Sequence, residues 1–219
     1  MEEDHKREGT ELQFFGKIVA AATHEINNVL SIVNENTGLL ADLLAAGGKK
    51  GVPKEKVNSI NESIEKHLER GKNIISHLNR FAHSVDRETA RVELEEVLQN
   101  MALLSERYTR QQKASIKLEP ADGRIVLDTD AFVLRNAVFI CLSSYLEGAE
   151  PGYEVIVSFG KENDTVALSF SGPVIKDVED KKEILSRLMD ELSGSLSFDT
   201  GAGVIKLYLP GSAPSSSSE

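Results

Sequence analysis

The sequence predicts an α+β chain in which an N-terminal helical hairpin precedes a mixed α/β domain. Three observations carry that prediction. Apolar residues recur at alternating spacings of four and three from Phe15 to Leu43, and a similar pattern runs from Val57 to Val85, as in helices packed lengthwise. The breaker Gly47-Gly48 and a short turn to Pro53 separate the two runs. Beyond Ala90 the helical period gives way to short strand-like runs, turn residues and shorter helices.

The first helix is expected from about Glu11 to Ala46, with the seam Phe15, Val19, Ala22, Ile26, Val29, Val33, Asn36, Leu40 and Leu43. The second opens near Pro53 or Lys54 and carries Val57, Ile60, Ile64, His67, Gly71, Ile74, Leu78, Phe81 and Val85. Joined by a few residues, the two form an antiparallel hairpin. A hairpin leaves much of each stripe uncovered, so a second copy completing a four-helix bundle is expected. Asp86 to Ala90 is polar and reads as a hinge.

Val92 to Leu94 then reads as a short strand and Glu95 to Lys113 as a helix, with Val97, Leu98, Met101 and Leu104 on one face. Ser115 to Leu118 and Arg124 to Leu127 are expected strands around the turn Pro120-Ala121-Asp122-Gly123. Thr129 or Asp130 caps an apolar helix reaching about Glu147. Tyr153 to Phe159 and Thr165 to Phe170 form a hairpin across Gly160 to Asp164. Val178 to Leu192 is a helix, and Ser195 to Asp199 with Val204 to Leu209 closes the fold. The domains are therefore 11–86 for the hairpin and 91–210 for the α/β part, with 211–219 a serine-rich tail expected to be disordered.

Composition narrows the function classes. A net charge of −10 argues against nucleic acid or an anionic membrane as an electrostatic partner. The single Cys141 excludes a disulfide framework and fits a reducing compartment. No run approaches a membrane span, and Met1 to Thr10 is too charged for a signal peptide, so a cytoplasmic protein is expected.

The informative string is Thr23-His24-Glu25-Ile26-Asn27-Asn28. His24 lies two residues from both Ala22 and Ile26, which at about 100° per residue places it opposite the seam, facing solvent. An imidazole held there is available to a partner and to nucleophilic chemistry. Glu25 is expected to hydrogen-bond one ring nitrogen and fix the tautomer. A lone helical histidine is ordinarily only a solvated polar residue, and His77 and His83 are read that way. His67, on the second seam, is read as packed and hydrogen-bonded. Asn36 is read as a register-setting polar residue. The pair His24 and His67 lacks the carboxylate or cysteine cluster a metal site needs. Gly201-Ala202-Gly203 precedes a strand rather than a helix, so it is a hairpin loop and not a phosphate cradle.

The H-E-I-N-N run, the paired helices and the following α/β segment together resemble a sensor histidine kinase, from Phe14 to Pro210. The resemblance implies a dimerising hairpin and an ATP-binding sandwich. On the H-E-x-x-N pattern it implies His24 as phosphoacceptor, Glu25 as acid/base and Asn28 as a phosphatase-assisting residue. Val29 stands where the family usually has a proline. The nucleotide boxes are absent by the same comparison. With Leu134-Arg135 as anchor, the two metal-holding asparagines fall on Ile140 and Ser144, and Asn136 is the only asparagine in that helix. The D-x-G-x-G box falls on Phe170-Ser171-Gly172-Pro173-Val174, and a charged link from Lys176 to Lys182 replaces the second glycine box and lid.

The expected function is therefore histidine phosphotransfer in a two-component relay, with His24 exchanging a phosphoryl group with receiver aspartates. Glu25 would orient the ring, and Asn28, one turn on, would position the phosphoryl group or a water. The receiver's own magnesium would support the chemistry, so no cofactor or metal is expected on this chain. Two alternatives stand beside it: an ATP-dependent kinase autophosphorylating His24, and a non-catalytic pseudokinase adaptor dimerising with an active kinase. Expected partners are response-regulator receivers, a second copy, and a separate histidine kinase.

Overall fold

The computed structural model describes residues 2–47, 51–86, 89–146, 151–173 and 178–211. Its helices are α1 (Glu2–Ala46), α2 (Lys54–Ala82), α3 (Leu94–Leu104), α4 (Glu106–Gln111), α5 (Ala131–Leu146) and α6 (Val178–Glu191), with a 3-10 turn at His83–Asp86. Its strands are β1 (Ala90–Glu93), β2 (Ser115–Leu118), β3 (Val126–Thr129), β4 (Glu154–Glu162), β5 (Thr165–Ser171), β6 (Ser195–Asp199) and β7 (Val204–Pro210). The architecture is α+β, long helices first and then a mixed sheet backed by helices. The expected tail lies outside the described residues except Gly211, as do Gly48, residues 87–88 of the expected hinge, Val174 and the start of the charged link.

α1 begins at Glu2 rather than Glu11. That extension has no apolar seam to announce it, but it is rich in Glu, Lys and Arg, which favour helix. Over the first half of α1 the deepest line is Phe14, Ile18, Ala21, Ala22, Glu25 and Val29, while Phe15, Val19 and Ile26 are only half-buried. The inward face is thus turned relative to the expected seam. The reason is that α1 packs against α2 and also against the α/β domain. Phe14 meets Phe81 of α2 edge-on at 5.3 Å between ring centroids and Phe132 and Phe139 of α5 at 5.4 and 5.3 Å. Interlocked rings of this kind add to the burial itself. The two halves of the chain therefore share one apolar core. Beyond Val29, α1 has no fully buried residue among those described.

The expected single helix 95–113 is broken. Ser105, buried with φ −90° and ψ 0°, ends α3, and α4 leaves at a new angle. The expected strands at 115–118 and 124–127 do not pair with each other. β2 joins β4 in parallel, Ser115 opposite Glu154, while β3 pairs antiparallel with β1, Ala90 opposite Thr129. The main sheet runs β2-β4-β5-β7-β6, antiparallel apart from the β2–β4 pair. Alternation along β4 and β7 sends Val155, Val157, Phe159, Ile205, Leu207 and Leu209 inward, as a one-sided sheet requires. α5 is mostly apolar and buried on nearly every side, and Asp130 Oδ1 caps it by accepting the Phe132 and Val133 N–H groups, both at 2.9 Å. The β4–β5 turn is tighter than expected, with Asn163 at φ +56°.

Candidate phosphoacceptor site

His24 projects from α1 with about half its side chain exposed (52%), while the neighbouring Glu25 carboxylate is nearly closed off (6%). One turn on, Asn28 Nδ2 lies 3.2 Å from His24 Nδ1 and donates to Glu25 Oε1 at 3.4 Å. Two side chains from the same stretch of helix, Glu25 and Asn28, thus gather at the Nδ1 edge of the imidazole. The other ring nitrogen is left to the solvent side.

Glu25 does not hydrogen-bond the ring. Its Oε1 is 3.6 Å from His24 Nδ1, beyond bonding distance. Oε2 is engaged elsewhere, with Arg70 of α2 at 2.7 Å and Arg110 of α4 at 2.6 Å. Glu106 Oε2 bridges the same two guanidiniums at 2.6 and 3.1 Å. A carboxylate this buried needs charged partners, and two arginines supply them. The expected tautomer-setter is therefore also the staple joining α1, α2 and α4. Gly71 makes this close approach possible: a Cβ there would stand 3.2 Å from Val29 Cγ1, so a side chain would press the two helices apart beside Arg70. Sequence reasoning missed Arg70, Glu106 and Arg110. Their separations from Glu25 leave no periodic trace, and α4's orientation follows from the break at Ser105.

The other histidines divide. His83 is exposed, with Nδ1 2.9 Å from Asp86 Oδ2. His67 is half-buried, but its Nδ1 has no hydrogen-bond partner, contrary to expectation. His77 is not a solvated surface residue. It is half-buried with Nδ1 2.9 Å from Asn100 Nδ2, and burial, aided by the Arg80 charge, lowers its pKa. Asn36 is half-buried and donates to Ile32 O at 2.9 Å and Ser63 Oγ at 3.3 Å, tying α1 to α2.

At the positions where the resemblance implies a nucleotide, the space is filled. Ser144 turns its hydroxyl back to Ile140 O at 2.7 Å. The next residue, Tyr145, is 1% exposed and wedges between β5 and β7. Its hydroxyl lies 2.7 Å from Phe170 O and 3.0 Å from Gly203 O, sharing its one proton, and accepts the Ile205 N–H at 3.1 Å. Burial raises the phenol pKa, so the group is neutral and bonded. Gly172 accommodates the ring, since a Cβ there would come within 2.8 Å of Tyr145 Cδ1. Phe170 is wholly buried. A magnesium nucleotide needs oxygen ligands for the metal and glycine-freed amides for the phosphates. The aromatic, inward-bonded groups at these described positions do not fit one.

Among the described residues no group of three or more His, Cys, Asp or Glu side chains is placed to hold a metal ion, and no helix is long and apolar enough to cross a membrane. No family model and no curated protein matches the chain. Its fold is similar to those of solved histidine kinases. The catalytic domain of histidine kinase ThkA aligns at 16% identity and TM-score 0.48, over 57% of this chain and 98% of that one. Acinetobacter baumannii histidine kinase AdeS aligns at 12% identity and TM-score 0.46, over 87% and 98%. Histidine kinase ThkA in complex with response regulator TrrA aligns at 19% identity and TM-score 0.45, over 96% and 66%.

Proposed function

We propose that the chain is a histidine phosphotransfer module of two-component signalling, in which His24 exchanges a phosphoryl group with aspartates of response-regulator receivers. The observation that carries this reading is the pairing of an accessible imidazole, backed by Asn28 and Glu25, with a nucleotide position filled by Tyr145. The ring nitrogen attacks phosphorus, the P–N bond forms, and the P–O bond to the receiver carboxylate breaks, with the carboxylate leaving. Attack through Nε2 requires the ring proton on Nδ1. Asn28 serves this by turning its amide oxygen to the ring, and Glu25 Oε1, at 3.6 Å, can then draw near as the charge develops.

The exposed pairs Leu30 and Leu44 on α1 and Leu68 and Ile75 on α2, each sharing one helix face, support a second copy packed against the hairpin. His24 then appears twice in the assembly. A cytoplasmic protein is in keeping with this reading.

The decisive experiment is an intact-mass measurement after mixing with a phosphorylated receiver. A single phosphoryl addition that disappears in His24→Ala is the expected result. No addition, or one unchanged by that substitution, overturns the transfer reading. ATP-dependent autophosphorylation of His24 is the second reading; the similar solved structures are named histidine kinases. Micromolar binding of an ATP analogue by calorimetry would establish it. Subunit exchange with an active kinase, with function surviving His24→Ala, would instead identify a pseudokinase adaptor.

A further inference from the structure

At the junction of the hairpin and the α/β domain lies a cleft of about 650 Å³, bordered by the end of α2, the 3-10 turn, β1, α3 and the start of α5. Its charged lining is Arg80, His83, Asp86, Glu96 and Arg135. Arg135 is the unusual member. It is 9% exposed, its Nη1 donates to Ala131 O at 2.9 Å, and its Nε is buried with no hydrogen-bond partner among the described residues. A guanidinium has five donors and no way to shed its charge at neutral pH, so leaving it enclosed with one bond made is costly. Glu96 offsets this only through space, without an ion pair to Arg135. Asp86 is bonded to His83. Arg80 has neither a hydrogen bond nor an ion pair among the described residues. Among the described residues the lining therefore sets two guanidiniums against one unpaired carboxylate, with Ser76 and Asn79 beside them.

We propose that this cleft binds a small oxyanion, a carboxylate or phosphate group, recognised by the guanidiniums of Arg135 and Arg80. A planar guanidinium matches either group through paired N–H donors. Asn79 offers a neutral donor beside them, and Ala90, Val92 and Ala131 provide apolar wall for the rest of a metabolite-sized molecule. No residue of the cleft belongs to the His24 site, so the inference stands apart from the phosphotransfer reading. An occupant would touch both the hairpin and the α/β domain at once.

Calorimetry on the full chain, with inorganic phosphate and separately with succinate, tests this. Saturable binding of one anion per chain is expected. Arg135→Met should abolish it, and Arg80→Ala, at an exposed residue that does not threaten folding, should weaken it about tenfold, as loss of one charged hydrogen-bonding partner does. Glu96→Gln removes the competing carboxylate and should tighten binding, which a merely structural Arg135–Glu96 arrangement would not do. Preference for phosphate or for succinate assigns the ligand class. No saturable heat with either anion, or binding indifferent to Arg80→Ala, overturns the proposal.

Discussion

His24 and Tyr145 are both polar-tipped rings on helices backed by the core, and the fold treats them in opposite ways. His24 keeps half its surface in solvent and bonds only within its own helical turn. Tyr145 is enclosed, and three backbone groups, from β5, β7 and the turn before β7, converge on its hydroxyl. On the proposed reading, a transfer site has to remain reachable by another protein, and its cost to stability is small. The corner at Tyr145 is instead drawn into the core, where an aromatic ring and its hydrogen bonds stabilise the sheet.

The sharpest break between the two regions comes from His24→Ala. It should remove phosphoryl labelling entirely while shifting stability by no more than about 0.5 kcal/mol, as surface substitutions do. Intact mass and urea denaturation read the two quantities separately. At the other corner the pattern reverses. Tyr145→Ala should cost about 3–5 kcal/mol through the cavity it leaves. Tyr145→Phe should cost about 1–3 kcal/mol by leaving the Ile205 N–H and the Phe170 carbonyl without the hydroxyl. Both variants should still accept label on His24 wherever they remain folded. Loss of labelling in Tyr145→Phe would show that the two regions are not independent.

Between them stands the Glu25 staple. Arg110→Ala leaves Glu25 with a single arginine and loosens α4 from α1. A loss of about 1–2 kcal/mol is expected, kept low because Arg110 is itself half in solvent. The smallest effect is at His77. Its folded pKa lies below the unfolded value of 6.5, so the unfolded chain binds more protons as pH falls. The stability that neutral His77 contributes is complete above about pH 6.5 and declines as pH drops towards the folded pKa. His77→Gln should flatten that part of the stability curve measured by urea denaturation across pH 5 to 7.

The amino-acid pattern alone was enough for the long helices, a cap at Thr129 or Asp130, the two hairpins β4–β5 and β6–β7, and the outward aim of His24. These follow from period, caps and turn residues, which act over a few neighbouring positions. Other features were invisible at that range. The Ser105 break lies inside a continuous helical pattern. The parallel pairing of β2 with β4 and the antiparallel pairing of β1 with β3 join segments whose own residues read only as short strands. Neither the aromatic link of Phe14 with Phe132 and Phe139 nor the meeting of Glu25 with Arg70 and Arg110 has any local signal.

The sequence by itself therefore determined which segments are helix or strand and which turn of α1 presents an imidazole. Tertiary structure alone decided that Glu25 is held by two arginines from other helices, that His77 is half-buried against Asn100, and that Tyr145 fills the corner beside Phe170. The physical reason is range. Backbone preference and amphipathic period are set within one or two turns, whereas burial, ion pairing and hydrogen bonding across elements depend on which distant surfaces meet.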